Sequence, residues 1–277
     1  MKAEPSSLIR LVVTDIDGTL VDRDKVLTPR VLAAAAALRQ AGIKLALVSS
    51  RPPRGMTMFM GPLGIDTPRA GFNGGEIVSP EGRVLEQLFI PDPAGRLAVE
   101  MMVANGIDAW VFADDQWFVT SLTGPYVPVE HRTVRIDPTV VPNFDGVIAR
   151  ATKIMGSTTD FPLLERIETD MMSGFGGSVA AHRSQDYYLD VTHPEARKDH
   201  ALKRIARFLD VPVHETAALG DMPNDSDMLR VAGLSVAMGN APEEVQDVAM
   251  FVTGTNQHDG WAEAIERHVL PRAPGLH

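Results

Sequence analysis

Asp15 and Asp17 stand at the end of the apolar run "LVVTDIDGTLVD", residues 11 to 22. Carboxylates in such a place are expensive to desolvate unless something compensates them. Polar groups close other apolar runs too: Ser49, Ser50 and Arg51 after "IKLALV", and Asp221, Asn224 and Asp225 after "TAALG". Lys198 stands at the start of an expected helix. In an open parallel sheet the carboxyl ends of the strands converge on one ligand site, so these groups should meet. Asp15, Asp17, Asp221 and Asp225 would then repel one another strongly unless a cation neutralised them. Oxygen ligands without cysteine favour a hard ion, and Mg²⁺ suits because it keeps waters and binds substrate phosphate beside one or two carboxylates. Residues two apart on an extended chain point the same way. With a bend at Gly18, both Asp15 and Asp17 can address one bound group. One would attack phosphorus while the other protonates the leaving oxygen and later activates water. That division of labour suits hydrolysis of a phosphate ester.

The elements that must position these groups follow a βαβ rhythm. "IRLVV" reads as a buried strand, "TPRVLAAAAALRQAG" as a helix and "IKLALVSSR" as a second buried strand. Thr28 can cap that helix, Pro29 suits its first position and Gly42 closes it. Continuous apolar strands imply a parallel sheet covered on both faces. The rhythm returns near the C-terminus: "HALKRIARFLD" (helix), "TAALGD" (strand), "NDSDMLRVAG" (helix), "LSVAMG" (strand), "PEEVQDVA" (helix) and "FVT" (strand). Between the halves the pattern becomes α+β, with two strands expected to turn at Asp114-Asp115-Gln116. The expected fold is therefore α/β, a doubly wound Rossmann-like parallel sheet built from residues 1–87 and 188–277, with an inserted α+β domain over 88–187.

Composition bounds the partners. A chain of 277 residues, 44% hydrophobic and 22% charged, can bury a proper core. A formal charge of -10 opposes nucleic-acid and anionic-membrane partners. The start "MKAEPSSLIR" lacks the cationic and apolar blocks of a signal peptide, and no apolar run approaches a membrane span. A cytoplasmic protein, a monomer or weak homodimer, is the expectation. The methionines of "MTMFM" and "EMMVAN" suit a core at helical spacing.

The segments "DIDGT" (15–19), "VSSR" (48–51), Lys198 and "GDMPND" (220–225), in this order, resemble the four motifs of the haloacid dehalogenase superfamily of phosphohydrolases. The insertion lies where the type 2 cap of that superfamily sits, and its α+β pattern resembles the Cof-type, IIB subfamily. "FNGGEIV" (72–78), "MGNAPEEV" (238–245) and "TNQHDG" (255–260) resemble further stretches of that group. The resemblance implies that Asp15 is the nucleophile, forming an aspartyl-phosphate, and that Asp17 is the general acid and base. It implies that Ser49 and Lys198 hold the phosphoryl group, with Ser50, Arg51, Asn73, Gly74 and Asn224 near the substrate. Mg²⁺ would be bound by Asp15, the carbonyl of Asp17 and Asp221, supported by Asn224 and Asp225. An acid at Asp17 favours a phosphatase or phosphomutase over the superfamily's pumps, which carry Thr there, and over its dehalogenases.

The chain departs from the subfamily in places. Ser49-Ser50 replaces Thr-Gly, Asp199 follows Lys198 where Gly is usual and is placed to pair with it, and Met222 replaces Gly. Gln246 and Met250 stand where Lys and Asp are usual. Arg197 and Lys203 rival Lys198, and Arg51 suits an ion pair as well as a ligand. His131, Arg132, Arg135, His182 and Arg183 suit either a solvated face or substrate recognition. The expected function is Mg²⁺-dependent hydrolysis of small phosphorylated metabolites, sugar phosphates foremost, with a phosphomutase or a noncatalytic sugar-phosphate sensor as alternatives.

Overall fold

The structure is a computed structural model describing residues 4–275. β1 (Leu11–Thr14) is buried along its length and delivers the loop bearing Asp15 and Asp17. Thr28 caps α1 (Pro29–Gln40) by accepting the Val31 N–H, and β2 (Lys44–Leu47) returns parallel to β1. After α2 (Thr57–Leu63) comes an antiparallel meander, β3 (Arg69–Gly71), β4 (Glu76–Val78) and β5 (Val84–Gln87), that sequence reasoning did not foresee. A bridge between Val48 and Ala70 docks it beside the end of β2.

The insertion opens with α3 (Asp92–Ala104) and a hairpin of β6 (Asp108–Ala113) and β7 (Gln116–Val119). Asp114 and Asp115 both have left-handed φ, 52° and 58°, so the turn has the two-residue form that suits twisted strands, and Gln116 already belongs to β7. Then follow α4 (Val127–Val134), β8 (Pro138–Val140), β9 (Ala151–Ser157), α5 (Phe161–Gly174), β10 (Ala180–Gln185) and β11 (Tyr188–Thr192). These strands form one six-stranded sheet in the order β10-β11-β9-β6-β7-β8. β11 pairs with β9 and β10 as far as Thr192, so the cap sheet runs past the boundary at 187 read from the sequence. The return to the core lies in the polar stretch between Thr192 and Lys198.

The chain closes with α6 (Lys198–Phe208), β12 (Thr216–Gly220), α7 (Ser226–Val231), β13 (Leu234–Ala237), α8 (Glu243–Val248), β14 (Phe251–Val252) and α9 (Gly260–Ala264). The core sheet is parallel throughout, in the order β14-β13-β12-β1-β2. Its two faces follow from side-chain alternation: Val12 packs with α1, α2 and α9, while Leu11 and Val13 pack with α6, α7 and α8. Burial on both faces is why these strands are apolar without interruption.

The cap sheet divides its faces by the same alternation. Val111, Ile154 and Val191 pack against α3 and α5. Trp110, Phe112, Met155 and Tyr188 point the other way and meet Phe72 of the core, whose ring lies 5.7 Å from that of Phe112. That face roofs the ends of β1 and β12. Among the described residues, no helix is long and apolar enough to cross a membrane.

Candidate active site

β1 and β12 run side by side, and the Asp15 N–H extends their ladder by donating to the Leu219 carbonyl at 3.0 Å. This fixes Asp15 next to the loop after β12. Lys198, first residue of α6, reaches both loops: its Nζ lies 2.7 Å from Asp15 Oδ1 and 2.6 Å from Asp225 Oδ1. The other Asp225 oxygen accepts the N–H groups of Asp221 and Met222, at 3.0 and 2.9 Å, and so shapes the loop. Asp221 Oδ1 accepts the Thr19 hydroxyl at 2.6 Å, and Asn240 donates to the Gly18 carbonyl at 2.9 Å. A Cβ on Gly18, whose φ is +87°, would collide with Asp221.

Asp15, Asp221 and Asp225 are buried, and their carboxylate oxygens lie within 4.8 Å of one another. Burial, aided by the charge of Asp225, pushes Asp15 up to about 7 against the pull of Lys198. Burial and the charge of Asp15 push Asp221 up to about 8. Lys198 moves up too, because Asp15 and Asp225 outweigh its own desolvation. Buried carboxylates that suppress one another's ionisation, offering only hard oxygen donors, fit a divalent cation.

Asp17 behaves differently. Burial acts to raise it, but Arg51 grips both of its oxygens, at 2.6 and 2.7 Å, and Lys25 adds a contact at 2.7 Å, so it is held at about 2. Arg51 is thus an ion-pair partner, and its remaining nitrogen donates to the Thr133 carbonyl in the cap at 2.8 Å. The Asp17 carboxylate stands outside the metal cluster, which leaves its backbone carbonyl as the donor it would offer.

A cavity of about 730 Å³ lies between core and cap, lined on the core side by Asp15, Asp17, Ser50, Asn73, Lys198 and Asn224. Asn224 donates to Asn73 at 3.1 Å. Ser49 sits behind this wall: it is buried, and its hydroxyl accepts the Arg51 N–H at 3.2 Å. Gly74 also stands back, because it packs on α6, where a Cβ would come within 2.8 Å of the Arg197 carbonyl oxygen. Its place is structural, seating the helix that carries Lys198. Asp199 turns away from Lys198 to pair with Arg197 and Lys203, at 3.0 and 2.8 Å, which corrects the pairing expected from sequence. Of the basic residues of the cap, His182 and Arg183 line the cavity, whereas His131 is exposed and lies 2.9 Å from Asp137.

The model for haloacid dehalogenase-like hydrolases matches residues 12–265. The chain belongs to the haloacid dehalogenase-like hydrolase family. This haloacid dehalogenase-like hydrolase is similar to phosphatase YwpJ of Bacillus subtilis, 29% identical over 95% of this chain and 100% of the relative. It is also similar to pyridoxal phosphate phosphatase YbhA of Escherichia coli, 27% identical over 94% of this chain and 99% of the relative. A haloacid dehalogenase-like hydrolase from Bacteroides thetaiotaomicron superposes with a TM-score of 0.84 at 27% identity, covering 94% of this chain and 99% of that one. Fold, buried carboxylates and kinship together make the protein a phosphatase acting on small phosphorylated metabolites.

Sequence reasoning missed several residues of this hydrolase's site. Asn240 follows a parallel strand's carboxyl end, the signal that found the others. Lys153 and Asp190 are charges inside otherwise apolar strands, "ATKIMGS" and "YLDVT", an interruption that in an α+β segment reads equally as a solvated face. Lys25 carried no comparable signal.

Proposed function

We propose that this phosphatase hydrolyses sugar phosphates, with Asp15 as nucleophile, Asp17 as general acid and base, and Mg²⁺ as the cation of the carboxylate cluster. The observation that carries the reading is Lys198 bridging Asp15 and Asp225 beside Asp221 at the base of a small-molecule cavity. An Asp15 oxygen attacks phosphorus, the ester P–O bond breaks, and the leaving oxygen takes a proton from Asp17. Water then attacks the aspartyl-phosphate, Asp17 accepts its proton, and inorganic phosphate departs with Asp15 restored. Lys198 holds Asp15 in line and offsets charge gathering on the phosphoryl oxygens. Ser50, Asn73 and Asn224 line the place where those oxygens would rest, and Ser49 supports the loop. Mg²⁺, held by Asp15, Asp221 and the Asp17 carbonyl with Asp225 and Asn224 in support, would supply further neutralisation of that charge.

The grip of Arg51 has a mechanistic meaning. At about 2, Asp17 is ionised, the form that activates water. To donate a proton it must first be loosened from Arg51, and Arg51 is tied to the cap through Thr133.

The test is phosphate release from a panel of sugar phosphates, nucleotides, pyridoxal phosphate and an aryl phosphate, with Mg²⁺ or EDTA, beside Asp15→Asn. Release requiring both Mg²⁺ and Asp15, strongest on sugar phosphates, is the expected result. Silence from folded protein would point to a phosphomutase, revealed by a need for a bisphosphorylated activator, or to a sensor that binds without turnover.

A further inference from the structure

The roof of the cavity contains a charge pair that the phosphoryl chemistry does not use. Lys153 of β9 and Asp190 of β11 project from the cap face turned toward the core, the face shared by Phe112, Met155 and Tyr188. Lys153 Nζ lies 2.8 Å from Asp190 Oδ2, and the two side chains are 3% and 2% exposed. Burying such a pair is costly unless the remaining lone pairs and protons find partners. Lys153 finds one in the Ser50 carbonyl, 3.3 Å away, and lies over the Phe112 ring at 5.7 Å. Asp190 does not: Lys153 is its counter-charge but stands outside hydrogen-bonding geometry, and among the described residues neither Asp190 oxygen accepts a hydrogen bond. Asp190 lines the cavity that also holds Asp15, beside His182, its register partner on β10.

We propose that Asp190 is a specificity residue that accepts a hydrogen bond from a hydroxyl of the leaving group. Lys153 is its positioning residue, fixing the carboxylate at the cavity wall while tying it to the Ser50 loop. The inference rests on the phosphatase reading and deepens it. A buried acceptor waiting for a donor discriminates strongly, because an analogue lacking that donor leaves the carboxylate unpaired. An apolar or acidic leaving group would suffer on that account.

The first measurement uses the wild-type enzyme, a good sugar phosphate substrate and its stepwise deoxygenated analogues. One hydroxyl remote from phosphorus is expected to matter by roughly 10- to 100-fold in kcat/KM, the range of a hydrogen bond to a buried charge. The second measures the same ratio in Asp190→Asn and in Lys153→Met/Asp190→Leu, the latter replacing the buried pair by an apolar one that folds tolerate. The expected result is collapse of the hydroxyl preference in both, with the ratio of sugar phosphate to aryl phosphate turnover falling at least about 10-fold. Analogues all within about threefold of the parent, or variants that keep the preference, would overturn the inference while leaving the phosphatase reading intact. Wild-type inactivity on every ester would overturn that reading, and this inference with it.

Discussion

Asp15 and Asp17 lie two positions apart yet are driven to opposite ends of the carboxylate range. Burial acts on both, and the nearest cations decide the outcome: Arg51 and Lys25 hold Asp17 at about 2, while Lys198, shared with Asp225, leaves Asp15 at about 7. Asp221, at about 8, titrates with Asp15 as a pair. For this pair the folded values exceed the usual 3.8, so the folded state binds more protons than the unfolded chain between these limits. Their contribution to stability is full below 3.8 and is lost as pH rises through about 7 to 8. A divalent cation held by the cluster would replace those protons. Melting with EDTA and with Mg²⁺ at pH 5.5 and pH 8 should therefore show the larger cation-induced rise at pH 8, and an equal rise at both would contradict the assignment. Asp17 has the opposite sign. Its depressed value adds stability of about 2 kcal/mol at neutral pH, lost as pH falls from 3.8 through about 2. Arg51→Met should cost more, about 3 kcal/mol in urea unfolding at pH 7, because it leaves a largely buried carboxylate paired with Lys25 but without its main counter-charge.

At the scale of elements, two loops meet with no room between them. The bend at Gly18 lets the β1 loop lie against Asp221, and a side chain there would push that carboxylate aside in addition to straining the backbone. Gly42, also at positive φ, closes α1 with nothing among the described residues within 4 Å of its missing Cβ. Gly18→Ala should therefore lower kcat by at least about 100-fold through lost positioning. Gly42→Ala should cost only about 1 kcal/mol of stability, with normal kcat. Equal kinetic damage from both would show that backbone strain, not the contact with Asp221, sets the effect. The same packing explains what the sequence made legible. Strands covered on both faces must be apolar, so Asp15, Asp221 and the Ser49 loop stood out at their ends, and α1 was marked by Thr28, Pro29 and Gly42. The meander of β3 to β5 was not legible, because its short strands exist through docking against β2 rather than through a pattern of their own. Nor were Lys153 and Asp190, because a charge in a strand of α+β pattern usually marks a solvated face, and only the fold shows these two turned inward. Arg51 was ambiguous for the same reason: its partners, Asp17 and Thr133, come from different parts of the chain.

For the whole molecule, the cap decides what can reach Asp15. Its sheet turns one face to helices of its own and the other to the core, so the cavity of about 730 Å³ has a protein floor and a protein roof. Phe72 against Phe112, Arg51 to Thr133 and Lys153 to Ser50 tie the two parts together. Such a volume suits one small metabolite, and a roof excludes water from the reacting centre, which strengthens the charges around Asp15. A phosphate carried on a polypeptide or a nucleic-acid strand would have to displace the roof, and the net charge of -10 would oppose the approach of a polyanion as well. Phosphopeptides and 5′-phosphorylated oligonucleotides should accordingly be hydrolysed with kcat/KM at least about 100-fold below the best small ester, most of the difference arising because they are too bulky for a roofed cavity. Comparable turnover of a phosphopeptide would show that the cap does not select by size, and the role assigned to Asp190 in the roof would then have to operate on an open cleft.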